Sequence, residues 1–267
     1  MAPRPVTPVG IAAALVRSVE TRLDGADGGG SAVAPEVLAD LARARDLLDG
    51  VEDYVARCTS PASPALQALE TRTRAEAWGE HLEQEMLSGH VEGAFLRMLV
   101  AVTGATRVLE VGMFTGYSAL AMAEALPVGV GARLVACEVD ERAAQIAREA
   151  FATTPAGGVI DVRVGPAADT LRDLAAAGER FDLVFVDADK GGYATYLDLL
   201  LDGDLLAPRA LLAVDNTLLQ GEPWLPGEAG VNGAAIAAFN DRVAADERLE
   251  QVLLPVRDGV TLIRRVS

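Results

Sequence analysis

Two kinds of hydrophobic spacing divide the chain. Up to about residue 85 the apolar positions recur at helical intervals, with breaks. Thr7-Pro8 opens the first helix, with Thr7 as N-cap and proline in the first turn. Its apolar face carries Ile11, Leu15, Val19 and Leu23, which need burial somewhere. DGADGGGS (24–31) is a glycine-rich loop. Residues 35–48 read as a helix, Thr59-Ser60-Pro61 as a break, and 66–85 as a helix rich in charge. No internal repeat is visible.

From about residue 88 short β-branched runs alternate with amphipathic stretches. The runs are RVLEV (107–111), RLVACEV (133–139), IDVRV (160–164), DLVFV (182–186) and LLAV (211–214). Helical spacing lies between them near 117–126, 141–151, 167–177 and 192–202. Such a βαβ series predicts a mostly parallel sheet with helices on both faces. QVLLPVRDGVTLIRRV (251–266) then places two apolar strands around Arg257-Asp258-Gly259, and Asp-Gly favours a hairpin. A parallel sheet closed by an antiparallel hairpin resembles the Rossmann-like fold of class I methyltransferases, with seven strands. The organisation expected is an N-terminal helical extension over 1–85 and an α/β domain over 86–267.

Composition narrows the function. The chain has 267 residues, 51% of them hydrophobic, enough for a large core. Its net charge is −16, and no basic patch stands out. A phosphate backbone and an anionic membrane surface are both disfavoured as partners. The apolar run 9–16 is too short to span a bilayer and leads into Arg17 and Glu20 at helical spacing, so no signal peptide is expected. Cys58 and Cys137 have no disulfide or zinc spacing. Cys137 reads as buried packing and Cys58 as loop. A cytoplasmic protein is expected.

In open α/β sheets, ligands bind beyond the C-terminal ends of the strands. The first end is LEVGMFTGYS (109–118), a strand, a glycine turn and a helix start. Phe114 stands where a dinucleotide fingerprint needs its second glycine, and Glu110 makes the rim acidic. That suits a cationic cofactor without phosphates, such as S-adenosylmethionine. At the second end Glu138 can accept ribose hydroxyls, while Asp140 fits a helix N-cap. At the third, Gly165-Pro166-Ala167 is small enough to pass close to an adenine ring.

The fourth and fifth ends are FDLVFVDADKGGY (181–193) and AVDNTLLQGEP (213–223). If their strands pair, Asp187, Asp215 and Asn216 converge as oxygen ligands with no Cys or His nearby. A hard cation such as Mg²⁺, Mn²⁺ or Ca²⁺ takes such a set, leaving positions for two adjacent acceptor oxygens. Lys190, beside that cation, would be pushed toward its neutral form and could act as a base. Strand-end capping by Asp and Asn is the rival reading of either segment alone.

The strings EVGMFTGYS, VDADKGGYATY and VDNTLLQG resemble the cation-dependent O-methyltransferases of the caffeoyl-coenzyme A and catechol type. The resemblance covers about residues 80–267. It implies metal at Asp187, Asp215 and Asn216, with Lys190 as catalytic base. It implies S-adenosylmethionine contacts at Ser88, Glu110, Gly112, Ser118, Glu138, Ala167, Asp189 and Tyr196. Met86 and Gln220, together with Asp187, would meet the acceptor. LEQEMLSGHVEGAFL, VDNTLLQGEPWLP, EQVLLPVRDGVTLIRR and the N-terminal VTPVGIAAALVRSVE further resemble the O-methyltransferases of mycosporine-like amino acid biosynthesis. These convert demethyl-4-deoxygadusol to 4-deoxygadusol. Plant caffeoyl-type enzymes have a different, shorter N-terminus, which weakens a coenzyme A thioester reading.

Three rivals remain to be weighed. A catechol or hydroxycinnamoyl acceptor keeps the enzyme class. An NAD-dependent oxidoreductase is disfavoured by Phe114 and by the lack of a Tyr-x-x-x-Lys relay. A module that only binds S-adenosylmethionine leaves the metal set and lysine without purpose. His81 and His90 have no metal-ligand neighbours; His90 reads as pocket closure or a helix cap. Trp78 and Trp224 read as packing or a lid, Trp224 within GEPWLPGEAG (221–230). The N-terminal helices would roof the site or build a homodimer.

Overall fold

The computed structural model describes residues 5, 7–24, 35–79, 82–127, 129, 131–227 and 230–266. His81 and most of the glycine-rich loop at 24–31 lie outside the described residues. The chain forms two compact units, Met1–Ser60 and Pro61–Ser267.

The first unit pairs helices α1 (Pro8–Asp24) and α2 (Pro35–Cys58). Thr7 caps α1 as expected, its Oγ1 accepting from the Gly10 N–H at 3.0 Å. α2 continues ten residues beyond the predicted 35–48, so Cys58 ends a helix, exposed, rather than lying in a loop. Leu15 and Val19 are 61% and 41% exposed, so part of the apolar face of α1 is uncovered in this chain.

The second unit opens with α3 (Pro64–Ala75). Ser63 caps it by accepting from the Leu66 N–H at 3.2 Å. The single helix expected over 66–85 is not formed. Glu76 turns extended, and Trp78 closes the end by donating from Nε1 to the Thr73 carbonyl at 2.9 Å. Side-chain bonding to a last-turn carbonyl outweighs the helix propensity of the charged residues that follow. A short 3₁₀ turn, Gln84–Met86, leads into α4 (Gly89–Thr103), which the strand-centred reading did not single out.

Seven strands follow: β1 (Arg107–Val111), β2 (Arg133–Glu138), β3 (Ile160–Val164), β4 (Phe181–Val186), β5 (Leu206–Val214), β6 (Leu249–Leu254) and β7 (Val260–Arg265). Their order is β3-β2-β1-β4-β5-β7-β6, parallel through β5 and antiparallel at β7 and β6. This is the Rossmann-like methyltransferase sheet read from the sequence. Between strands lie α5 (Tyr117–Ala123), α6 (Glu141–Phe151), α7 (Ala167–Ala176), α8 (Tyr193–Asp202) and α9 (Val231–Ala245).

Strand alternation explains the two-sided core. Val108, Leu134, Ala136, Leu183 and Phe185 face α4, α5 and α6. Leu109, Val111, Val135, Cys137, Val184 and Val186 face α7, α8 and α9. Strands buried on both faces read as continuous apolar runs, as parallel sheets require. Among the described residues no helix is long and apolar enough to cross a membrane.

Candidate active site

Strand register sets the site. Val186 pairs with Val111 on one side and Val214 on the other. The Asp187 N–H donates to the Val111 carbonyl and the Asp215 N–H to the Val186 carbonyl, both at 2.9 Å. Asp187 and Asp215 therefore leave adjacent strand tips at one level. Gly112 leaves β1 beside them with φ 89°. A Cβ there would lie 2.1 Å from the Asp187 carbonyl oxygen, so only glycine lets the two tips approach.

Lys190 draws this cluster together. Its Nζ donates to Asp187 Oδ1 at 3.1 Å, Asn216 Oδ1 at 2.6 Å, the Ala188 carbonyl at 3.0 Å and the Tyr193 hydroxyl at 2.9 Å. Tyr193 in turn donates to the Asp215 carbonyl at 3.0 Å. Burial pulls the Lys190 pKa down, but Tyr193, Asp187 and Asp215 outweigh it and hold it above the ordinary lysine value. In this arrangement Lys190 is therefore an ammonium ion, not the neutral amine that a neighbouring cation would favour.

Carboxylates crowd the same place. Asp215 is buried, and its Oδ1 has no hydrogen-bond partner. Burial, reinforced by Asp187, pushes its pKa up to about 7. Glu92, on the buried face of α4, has neither oxygen hydrogen-bonded. Its charged neighbour of opposite sign is Arg257, whose Nε lies 3.3 Å from Oε2 without hydrogen-bond geometry. Burial and then Asp215 raise the Glu92 pKa well above the carboxylate range, against Arg257. Asp258 is buried nearby, and burial raises it to about 6. Among the described residues, Asp187, Asp215, Glu92 and Asp258 thus face Lys190 and Arg257. An excess of buried acid with an orphaned oxygen fits a hard divalent cation. Among the described residues, no three His, Cys, Asp or Glu side chains form a metal cluster by themselves. The set that fits has two carboxylates and the Asn216 amide.

Two more carboxylates adjoin it at the ends of β1 and β2. Glu110 is fully buried, and neither carboxylate oxygen has a hydrogen-bond partner. Burial raises its pKa well above the usual range, with Asp187 and Glu138 adding to the rise and Ser118 opposing it. Glu138, expected to accept ribose hydroxyls, also binds the backbone around it. Its Oε2 accepts from the Phe114 N–H at 2.6 Å, and its Oε1 from the Val139 and Asp140 N–H groups at 2.9 and 2.8 Å. The carboxylate thereby pins the glycine turn, in which Phe114 adopts φ 52°. Asp140 caps α6, accepting from the Ala143 N–H.

The remaining expected residues take these places. Ser88 is buried at the start of α4 and Ser118 within α5; Ala167 begins α7. Tyr196 donates to Asp189 Oδ1, holding that carboxylate at the tip of β4. Met86 stands 43% exposed on the 3₁₀ turn. Gln220 lies in a left-handed backbone position after β5. Trp78 packs on Phe114 with ring centroids 4.8 Å apart, and Trp224 is largely exposed. Sequence reasoning missed Glu92, Tyr193, Arg257 and Asp258. Glu92 carried a signal: a carboxylate in register with Leu96 and Leu99 on an apolar helix face.

Comparison with known proteins shows the family. A family model described as O-methyltransferase matches residues 58–266. The probable caffeoyl-CoA O-methyltransferase 2 of Dictyostelium discoideum is 36% identical over 192 residues, 70% of this chain and 81% of that protein. Caffeoyl-CoA O-methyltransferase 2 of Zea mays is 38% identical over 201 residues, 72% of this chain and 75% of that protein. The SAH-bound Podospora anserina methyltransferase PaMTH1 superposes with a TM-score of 0.73 at 29% identity, covering 90% of this chain and 100% of that one. With its sheet order, its acidic strand tips and these matches together, the chain belongs to the O-methyltransferase family.

Proposed function

We propose that this O-methyltransferase takes its methyl group from S-adenosylmethionine and, with a divalent cation, places it on one of two adjacent oxygens of a small acceptor. The observation that carries this reading is the oxygen cluster of Asp187 and Asn216 around Lys190, with Asp215 beside it, next to the unpartnered Glu110 carboxylate. Asp187, Asp215 and Asn216 would hold the cation, Mg²⁺ before Mn²⁺ or Ca²⁺. When bound, the cation acidifies and orients an acceptor hydroxyl, and S-adenosylmethionine supplies an electrophilic methyl group.

The chain's residues do the rest. Glu110 offers two acceptor oxygens to a cationic ligand. Gly112 lets the tip of β4 close against β1 beside it, and Glu138 fixes the turn that follows. Asp189, steadied by Tyr196, together with Ser88, Ser118 and Ala167, lines the ligand's path. Met86 and Gln220 flank the acceptor. Lys190 would act as base only as the neutral amine: with a cation held at Asp187, Asp215 and Asn216 its ammonium would first lose a proton to solvent, and the free amine could then take the acceptor hydroxyl proton. S-adenosylmethionine would supply the methyl, the acceptor oxygen replacing its sulfur and S-adenosylhomocysteine being the leaving group.

The acceptor we propose is demethyl-4-deoxygadusol, giving 4-deoxygadusol in mycosporine-like amino acid biosynthesis. Its support is the string resemblance, which includes the N-terminal VTPVGIAAALVRSVE upstream of the family match. A second reading is a catechol or hydroxycinnamoyl acceptor, favoured by the caffeoyl-CoA names of the curated relatives. The purified protein, S-adenosylmethionine and Mg²⁺ should be incubated with each acceptor, with and without EDTA, and followed by mass spectrometry. One added methylene on the gadusol precursor, lost in EDTA, supports the first reading. Reaction with the catechol alone replaces it by the second. We also propose that the protein is cytoplasmic, that its catalytic domain runs over 86–267, and that 1–85 roofs the site or forms a homodimer. Light scattering of the full chain against a chain lacking its first helices separates those two roles.

A further inference from the structure

The turn between β6 and β7 looked from its sequence like a hairpin turn and nothing more. In the fold it reaches the loop that follows β5. Asp258 Oδ1 accepts from the Gln220 N–H at 2.6 Å, and Asp258 Oδ2 accepts from Asn216 Nδ2 in a long contact of 3.5 Å. The Asp258 carbonyl accepts from the Leu218 N–H at 2.9 Å and the Gly259 carbonyl from the Thr217 N–H at 3.0 Å. A Cβ at Gly259, where φ is 90°, would stand 2.5 Å from Leu218 Cγ and 2.8 Å from the Leu218 nitrogen. Turn and loop are therefore one locked unit. The loop is held in an unusual shape, with Asn216, Leu219 and Gln220 all at positive φ.

The two ends of the Asn216 amide have opposite chemistry. One end lies 2.6 Å from Lys190 Nζ, an ammonium that can only donate, so that end is the oxygen. The other end is the NH₂ group, and it faces Asp258. An ionised carboxylate can only accept. We propose that Asp258 is a positioning residue that fixes the Asn216 amide with its oxygen turned to the cleft as a cation ligand, while anchoring the Gln220 backbone beside the acceptor. This rests on the reading of Asp187, Asp215 and Asn216 as cation ligands.

Asp258→Asn should disturb the Asn216 amide. The introduced amide has one acceptor end and one donor end. If its acceptor keeps the Gln220 N–H, its NH₂ group confronts the NH₂ of Asn216. Asn216 then gains by flipping, which turns donors toward the cation. Asn216→Asp in the same protein repairs this, because one new oxygen accepts from the introduced NH₂ and the other still faces the cation.

The test is a Mn²⁺ titration followed by electron paramagnetic resonance. It uses the wild type, Asp258→Asn, Asn216→Asp and the double variant, with melting temperatures taken in EDTA. Asp258→Asn should weaken Mn²⁺ binding by about ten- to a hundredfold, the range for groups that orient metal ligands. The double variant should recover about tenfold or more of that loss. A merely structural Asp258 would lower the melting temperature in EDTA without any recovery in the double variant. Asp258→Asn binding as tightly as the wild type, or a double variant no tighter than Asp258→Asn, overturns the proposal. If Asp258→Asn alone does not fold, the double variant must bind more tightly than Asn216→Asp, and equal or weaker binding overturns it. A wild type that binds no Mn²⁺ overturns the cation reading and the proposal with it. A wild type that binds, with Asp258→Asn unchanged, overturns the positioning role alone.

Discussion

Lys190 Nζ lies 2.6 Å from Asn216 Oδ1, across the tips of two neighbouring strands. The ammonium occupies oxygens that a divalent cation would also seek. Lysine and cation therefore compete, and Lys190 lowers cation affinity while it keeps the cluster neutralised in the cation's absence. Lys190→Met should bind Mn²⁺ more tightly than the wild type, and Asp187→Ala should lose binding. Activity separates the roles further. An enolic hydroxyl beside a carbonyl is already acidic, so Lys190→Met should retain more activity than Asp187→Ala on demethyl-4-deoxygadusol at pH 8 and above. Initial rates for both variants check this, and equal losses would place the base at the centre of the reaction.

Asp215 gives the cation-free protein a pH dependence of definite sign. Its folded pKa is raised from 3.8 to about 7, chiefly by burial. Between those values the folded form holds a proton that the unfolded chain has released, so stability falls as pH rises through that window. Glu92, Glu110 and Asp258 are raised as well and push the same way. Thermal unfolding in EDTA should therefore show a melting temperature that declines from about pH 4 to above 7. Asp215→Asn should flatten part of that slope and raise the melting temperature at pH 8. For a chain of this size each kcal/mol relieved is worth on the order of 2–4 °C. Cation affinity should run the opposite way, weakening below about pH 7 as protons compete for Asp215.

Gly112 should tolerate no side chain. Gly112→Ala places a Cβ 2.1 Å from a backbone oxygen of Asp187 and demands a positive φ from alanine. The clash is with backbone, which cannot swing aside. A loss of about 3 kcal/mol or more is expected from overpacking and left-handed strain together. Urea unfolding of the variant measures it. Gly104→Ala, with positive φ but open space around its Cβ, is the control and should cost about 1–2 kcal/mol from strain alone.

The sheet was legible because parallel strands buried on both faces leave continuous apolar runs, as at β1, while the partly exposed edge strand β3 was marked by its β-branched residues alone. The strand tips were legible because charge abruptly ends each run: Asp187 after FDLVFV and Asp215 after LLAV. Two kinds of feature were not. Helix ends set by single hydrogen bonds, such as Trp78 to the Thr73 carbonyl, leave no periodic trace. Groups that arrive from distant segments are equally silent. Asp258 reaches Gln220 across 38 positions, and Arg257 meets Glu92 from the far end of the sheet. The local sequence of each reads as turn or helix, and only the antiparallel return of β7 beside β5 brings them to the site.

Glu110 distinguishes a stabilising core group from a binding group. A carboxylate that is fully buried and unpartnered is costly in the cofactor-free protein. Replacing it by a neutral isostere removes the part of that cost due to charge, so Glu110→Gln should melt at a higher temperature than the wild type without cofactor, most clearly at high pH where the carboxylate is ionised. The same change removes the acceptors offered to a cationic ligand. A hydrogen bond to a charged group contributes about 1.5–3 kcal/mol, so S-adenosylmethionine should bind about ten- to a hundredfold more weakly. Isothermal titration and thermal unfolding on one preparation read both effects. The two must move in opposite directions if Glu110 is held for binding. A variant that is both less stable and weaker in binding would instead place Glu110 in the packing of β1, and the cofactor's cationic group would have to be met by Asp189 or Asp187 at the neighbouring tip.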